Sequence, residues 1–221
     1  MIALLCVVAT ALACCGSHVE AGPTGQTYSL LSRQDEPVDM AKPKNNTAKL
    51  WLKREKFYLL YRSEKNDAEF GGEAKCVQMK ALRFEIPRKK YQWNTPVKEL
   101  KVWSSVGYRN NQTGHMEAFT VMIITKKSDE SLIYDDMFSI GEDDTYANYI
   151  STDYELLFTD YETCFTIRRP SDDVYMVWMI GRRDIRGINR QCETAYHGPS
   201  NEYGCTVVKP KYDVYDDMIC S

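Results

Sequence analysis

Eight short β-prone runs follow one another between residues 56 and 180, separated by polar loops of hairpin length, and this rhythm constrains the fold more than any other feature. The runs cover residues 56–62, 76–86, 97–108, 116–125, 131–140, 149–160, 164–168 and 174–180. Val77, Met79 and Phe84 show the approximate alternation of a half-buried strand, in which successive side chains point to opposite faces. The loop Arg169-Pro170-Ser171-Asp172-Asp173 and the turn Asn110-Asn111-Gln112-Thr113-Gly114 carry turn chemistry. Many short strands joined this way predict an all-β up-and-down barrel or a sandwich. A helix-like stretch over 188–196 and an irregular tail follow. No repeat of solenoid or propeller length stands out.

Residues 2–15 form an apolar run of fourteen broken by Thr10, too short to span a bilayer but suited to a secretory leader. Val19-Glu20-Ala21 offers a cleavage site, which makes 1–21 the leader; Ala11-Leu12-Ala13 offers an earlier one. Residues 22–46, rich in Pro, Gly and polar side chains, read as an extended or partly helical lead-in to a domain over 47–221. Cleavage after Ala21 leaves Cys76, Cys164, Cys192, Cys205 and Cys220, and an oxidising route favours disulfides among them. Asn45 and Asn111 head glycosylation sequons. The expected product is secreted, without a membrane anchor.

Chemistry-bearing motifs are scarce. There is no GxSxG, HExxH, P-loop or dinucleotide fingerprint. His115 and His197, the histidines left after cleavage, read as solvent-facing. The acidic stretch from Gly141 to Thr145 lacks the ligand alternation of a calcium loop. A net charge of −3 speaks against a general nucleic-acid binder. Arg168, Arg169, Arg182, Arg183, Arg186 and Arg190 gather around the last hairpin, either capping strand ends or forming a patch for a glycan or anionic partner. Aromatics recur throughout the strand runs, among them Tyr58, Phe138, Tyr154, Phe158, Phe165 and Trp178. In a closed barrel half of these would line a lumen, the usual form of a small-molecule site.

The segment from Tyr154 to Cys164 (YELLFTDYETC), then Tyr175-Met176-Val177-Trp178 and Cys192, resembles the tick salivary lipocalins of the histamine-binding protein family. Residues 58–63 and 72–77 resemble that family's first two strands, so the likeness runs from about Thr47 to Cys220. It implies an eight-stranded antiparallel up-and-down lipocalin barrel with a C-terminal α-helix and a short N-terminal helical lead-in. It also implies disulfides Cys76–Cys220 and Cys164–Cys192, which would leave Cys205 odd. Members sequester histamine, serotonin or eicosanoids, and some bind other lipids or complement proteins. For this chain the resemblance implies a secreted monomer that blunts host defence by binding a small mediator, without catalysis or cofactor. The alternative is a module that grips a host protein and uses the barrel as scaffold.

One departure bears on the ligand. Where the family's amine-binding motif carries carboxylates, this chain reads Cys164-Phe165-Thr166 and Met176-Val177-Trp178. Alternation places Phe165 and Ile167 on one face and Met176 and Trp178 on the partner's, which the motif makes the lumen faces; Tyr58 and Phe158 are expected there too. An ammonium buried without a carboxylate costs several kcal/mol, and a cation–π contact with Trp178 offers only ~0.5–2 kcal/mol. An apolar or amphipathic mediator is therefore expected over an amine. One of Glu85, Glu99, Asp135, Asp136, Asp153 or Glu155 would have to turn inward to reverse that.

Overall fold

The computed structural model describes residues 45–85, 99–142, 151–182, 184–198 and 208–220. The leader, residues 22–44 and Cys205 lie outside them. The elements are α1 (Thr47–Trp51), β1 (Lys56–Arg62), β2 (Lys75–Glu85), β3 (Lys101–Arg109), β4 (Met116–Lys126), β5 (Met137–Glu142), β6 (Ser151–Thr159), β7 (Cys164–Arg169), β8 (Val174–Ile180), α2 (Arg190–His197) and β9 (Tyr212–Asp213).

Strands β2 to β8 pair antiparallel in chain order, β8 pairs with β1, and β1 closes the circle on β2. The eight-stranded barrel expected from the sequence is the fold. Closure leaves no long free edge, which a row of strands this apolar would otherwise present to other chains. The β1–β2 seam is short, Lys56 to Tyr58 against Lys80 to Gln78, so the far half of β1 takes β9 from the tail as its neighbour. Strand β5 begins later than expected. Residues 127–136 form a loop instead of the start of β5, because Asp129 and Asp136 accept hydrogen bonds from the backbone N–H of Ser131 and Ser128.

Two layers of apolar side chains result. The inner one holds Phe57, Leu59, Val77, Met79, Val102, Ile123, Phe138, Tyr154, Phe165, Ile167, Met176 and Trp178. The outer one lies where α2 and the tail cover β1, β7 and β8, and holds Leu60, Tyr61, Val177, Met179, Tyr196 and Tyr215. Both disulfides belong to this covering: Cys164–Cys192 ties β7 to α2, and Cys76–Cys220 ties β2 to the chain's end. These are the pairings the resemblance implies. Asn189 caps α2 by accepting from the Gln191 N–H, and Thr166, on the outer face of β7, donates to the Cys192 carbonyl.

The end of the barrel where β1 begins is closed by α1. Asn46 caps this short helix, and Thr47 donates its hydroxyl to the carbonyls of Asp135 and Met137. Trp51 is thereby driven into the interior against Phe57 and Phe138. Among the described residues no helix is long and apolar enough to cross a membrane.

Candidate ligand-binding site

The inner faces of β7 and β8 carry the side chains singled out by the sequence. Phe165, Ile167, Met176 and Trp178 are all fully buried in the inner layer. Around them the aromatic rings form a closed circuit. Trp51 meets Phe57, Phe57 meets Phe165, and Phe165 lies parallel to Trp178. Trp178 meets Phe70, Phe70 meets Tyr154, Tyr154 stacks on Phe138, and Phe138 returns to Trp51. Neighbouring centroids stand 5.0 to 6.0 Å apart, the range in which offset and edge contacts are favourable.

One member of that circuit does not come from the wall. Phe70 belongs to the β1–β2 loop, in a 3₁₀ turn over Ala68–Phe70 capped by the Asp67 carboxylate. Gly71 ends the turn with φ of 79°, and a Cβ there would fall 2.7 Å from the Tyr108 ring, so only glycine fits. The turn folds across the mouth and sets Phe70, wholly buried, between Trp178 and Tyr154. Polar tethers hold it there. Arg169 donates from Nη1 to both Asp67 oxygens at 3.1 Å, and Thr152 donates to Glu69 at 2.7 Å. Arg62 donates to the carbonyls of Lys65 and Gly72. Sequence reasoning missed this loop; its signal is Asp67 three residues before Phe70, followed by Gly71-Gly72.

The interior is not uniformly apolar. Trp178 Nε1, Trp51 Nε1 and Ser104 Oγ are buried with no hydrogen-bond partner in the protein. The Tyr154 hydroxyl, beside the Arg169 guanidinium, makes no well-formed hydrogen bond either, and burial pushes its pKa up, so it stays a neutral donor. Orphaned groups of this kind are normally satisfied by water or a ligand.

The acids fall differently from the residues they might have balanced. Asp135 is the one candidate that turns inward, at the α1 end, where Thr125 donates to it. Burial raises its pKa although that hydrogen bond opposes the shift. Asp153 and Glu155 face outward and pair with Lys126 and Arg168, Asp136 binds Ser128, and Glu85 and Glu99 are exposed. The inward acid not foreseen is Asp67, which Arg169 already neutralises.

Two expected lumen residues lie on the opposite face. Tyr58 stands edge-on to Tyr215 in the outer layer, because Phe57 and Leu59 take the inner positions of β1. Phe158 also packs outward, because β6 bulges at Leu157. The extra residue shifts the alternation, so Leu156 points in while Leu157 and Phe158 both point out. The same device at Leu60 in β1 brings Arg62 onto the face of Met176. The arginine cluster disperses: Arg169 is buried on Asp67, Arg168 pairs with Glu155, and Arg186 pairs with Asp184. His115 is exposed, whereas His197 is half-buried against Glu193 and accepts the Lys209 N–H.

The sequons differ as well. Asn45 donates its amide to the Leu157 carbonyl and Thr47 is buried, so this sequon is folded into the protein; Asn111 and Thr113 lie in an exposed turn.

A family model described as tick histamine binding protein matches residues 38–221. Similar solved structures include the AM182 serotonin complex, at 15% identity and a TM-score of 0.45 over 79% of this chain and 92% of that one. Another is Per a 4, a major cockroach allergen, at 15% identity and a TM-score of 0.37 over 60% of this chain and 67% of that one. A search of curated proteins finds no match.

Proposed function

Because the chain belongs to the tick histamine-binding protein family, a family of small-ligand-binding barrels, we propose that it is secreted and sequesters a host mediator in its lumen, and that this mediator is apolar or amphipathic. The observation that carries the reading is the inner face of β7 and β8. Phe165, Ile167, Met176 and Trp178 stand there, and the two inward acids among the described residues are engaged or poorly ionised. An ammonium would enter a dry site without a free counter-charge, at a cost of several kcal/mol. An acyl chain meets the opposite balance: burying ~300 Å² of it at ~25 cal/mol per Å² contributes ~7 kcal/mol before association costs. Tyr154, Trp178 and Ser104 supply hydrogen bonds for an oxygen-bearing mediator. The two disulfides suit the oxidising conditions of secretion.

Calorimetry of delipidated protein tests this. Titration with a long-chain fatty acid should give saturable heat at a single site, and Trp178→Ala should weaken it at least tenfold. Histamine and serotonin should give none. Tight amine binding with no response to the fatty acid would overturn the proposal.

A further inference from the structure

A groove of about 390 Å³ lies on the outside of the barrel, away from the lumen. Its floor is Tyr58, Gln78 and the Cys76–Cys220 disulfide, and its walls include Lys56, Arg109 and Arg182. The three cations come from the start of β1, the end of β3 and the segment after β8, so only the fold brings them together. No carboxylate lines the groove. Asp217, which shares Tyr215 with Arg182, and Glu55, beside Gly181, lie nearby without lining it. None of the three cations makes an ion pair among the described residues.

A second observation points the same way. Lys56 stands directly opposite Lys80 in the β1–β2 ladder, and Lys80 is exposed on the same outer face. Like charges directly across a ladder are destabilising, and an anion lying over both would relieve them. The chain as a whole carries a net charge of −3, so four cations converging on one face run against its overall balance.

We propose that this groove binds a polyanion whose charge is carried by sulfate groups, a sulfated polysaccharide. Its volume is several times what one tetrahedral anion fills, and its cations are spread over three segments. Recognition therefore needs several charges on one chain. A nucleic acid fits less well, because the groove has a single aromatic ring, Tyr58, with the Lys56 ammonium 5.8 Å over one face and Tyr215 packed against it, and base stacking along a strand needs several free rings. The disulfides suit the oxidising conditions outside the cell, where such glycans are found, and this support rests on the secretion proposed above. Each exposed pair adds a few-fold to affinity, and binding weakens with salt roughly in proportion to the cations engaged.

The test is calorimetry of the full mature protein at low salt with a heparin-derived hexasaccharide, inorganic sulfate and a single-stranded oligonucleotide. The hexasaccharide should bind at least tenfold tighter than either of the others. Lys56→Gln, Lys80→Gln and Arg182→Gln together, which remove no hydrogen bond to the backbone, should lower that affinity tenfold or more. Lys53→Gln, Lys101→Gln and Arg190→Gln remove the same charge elsewhere, again with no hydrogen bond to the backbone lost, and should change it less than twofold. Arg109 also holds the Ile219 carbonyl, so Arg109→Gln is read separately beside its unfolding midpoint. Equal losses in both triple variants, sulfate binding as tight as the hexasaccharide, or preference for the oligonucleotide would each overturn the proposal. None of these outcomes depends on what the lumen holds.

Discussion

Replacing Phe70 with alanine should weaken the empty protein and strengthen its hold on ligand, because this ring fills the lumen from a loop. Phe70 is fully buried and touches Trp178 and Tyr154. The substitution vacates roughly 100 Å³, which at ~24 cal/mol per Å³ corresponds to about 2.4 kcal/mol of cavity cost. Lost transfer energy raises that, and relaxation of the loop lowers it, so a net loss of about 3 kcal/mol is expected. A ligand entering between Trp178 and Tyr154 must displace this ring, so the burial energy of Phe70 opposes binding. Its removal should improve affinity for a fatty acid roughly ten- to a hundredfold, that is ~1.4–2.8 kcal/mol. Urea melts of delipidated protein measure the first effect and fluorescence titration the second. Unchanged stability, or weaker binding by the variant, would refute the reasoning.

Three other expectations rest on separate parts of the molecule. Burial holds the Asp135 carboxyl above its unfolded pKa, so the wild type is penalised as pH rises through the folded value; Asp135→Asn should melt higher at pH 7, with the gap closing toward the unfolded value of about 3.9, and a pH-independent gap would contradict this. Arg169→Met leaves buried Asp67 without its cation and should cost about 3–5 kcal/mol in urea melts, partly recovered by adding Asp67→Asn; a loss under about 1 kcal/mol would mean the network behaves as a surface pair. Peptide mapping of protein secreted from eukaryotic cells should find glycan on Asn111, in an exposed turn, and none on Asn45, whose sequon threonine Thr47 is buried; occupancy at Asn45 would show that this segment is not folded in as described.

The succession of strands was legible because hairpin loops interrupt β-prone runs at short intervals, which left barrel or sandwich open until the family resemblance implied a barrel; α2 was legible because its run follows a polar break. Inner and outer faces were legible on β7, where Phe165 and Ile167 flank Thr166, a residue that bonds α2. They were not legible on β1, which is apolar on both sides because the tail covers its outer face. On β6 the bulge at Leu157 reverses the alternation, and nothing in a run of two leucines and a phenylalanine announces it. The mouth was hidden for another reason. Arg62, Asp67 and Arg169 look like surface charges in sequence, and only loop closure buries them together.

Native mass spectrometry of protein purified from a eukaryotic secretory host, without denaturation, tests the lumen reading most directly. A bound oxygen-bearing apolar molecule of a few hundred daltons should accompany the wild type and be lost from Trp178→Ala. Protein that emerges bare, takes up serotonin and keeps it after that substitution would contradict an apolar mediator held against the inner faces of β7 and β8.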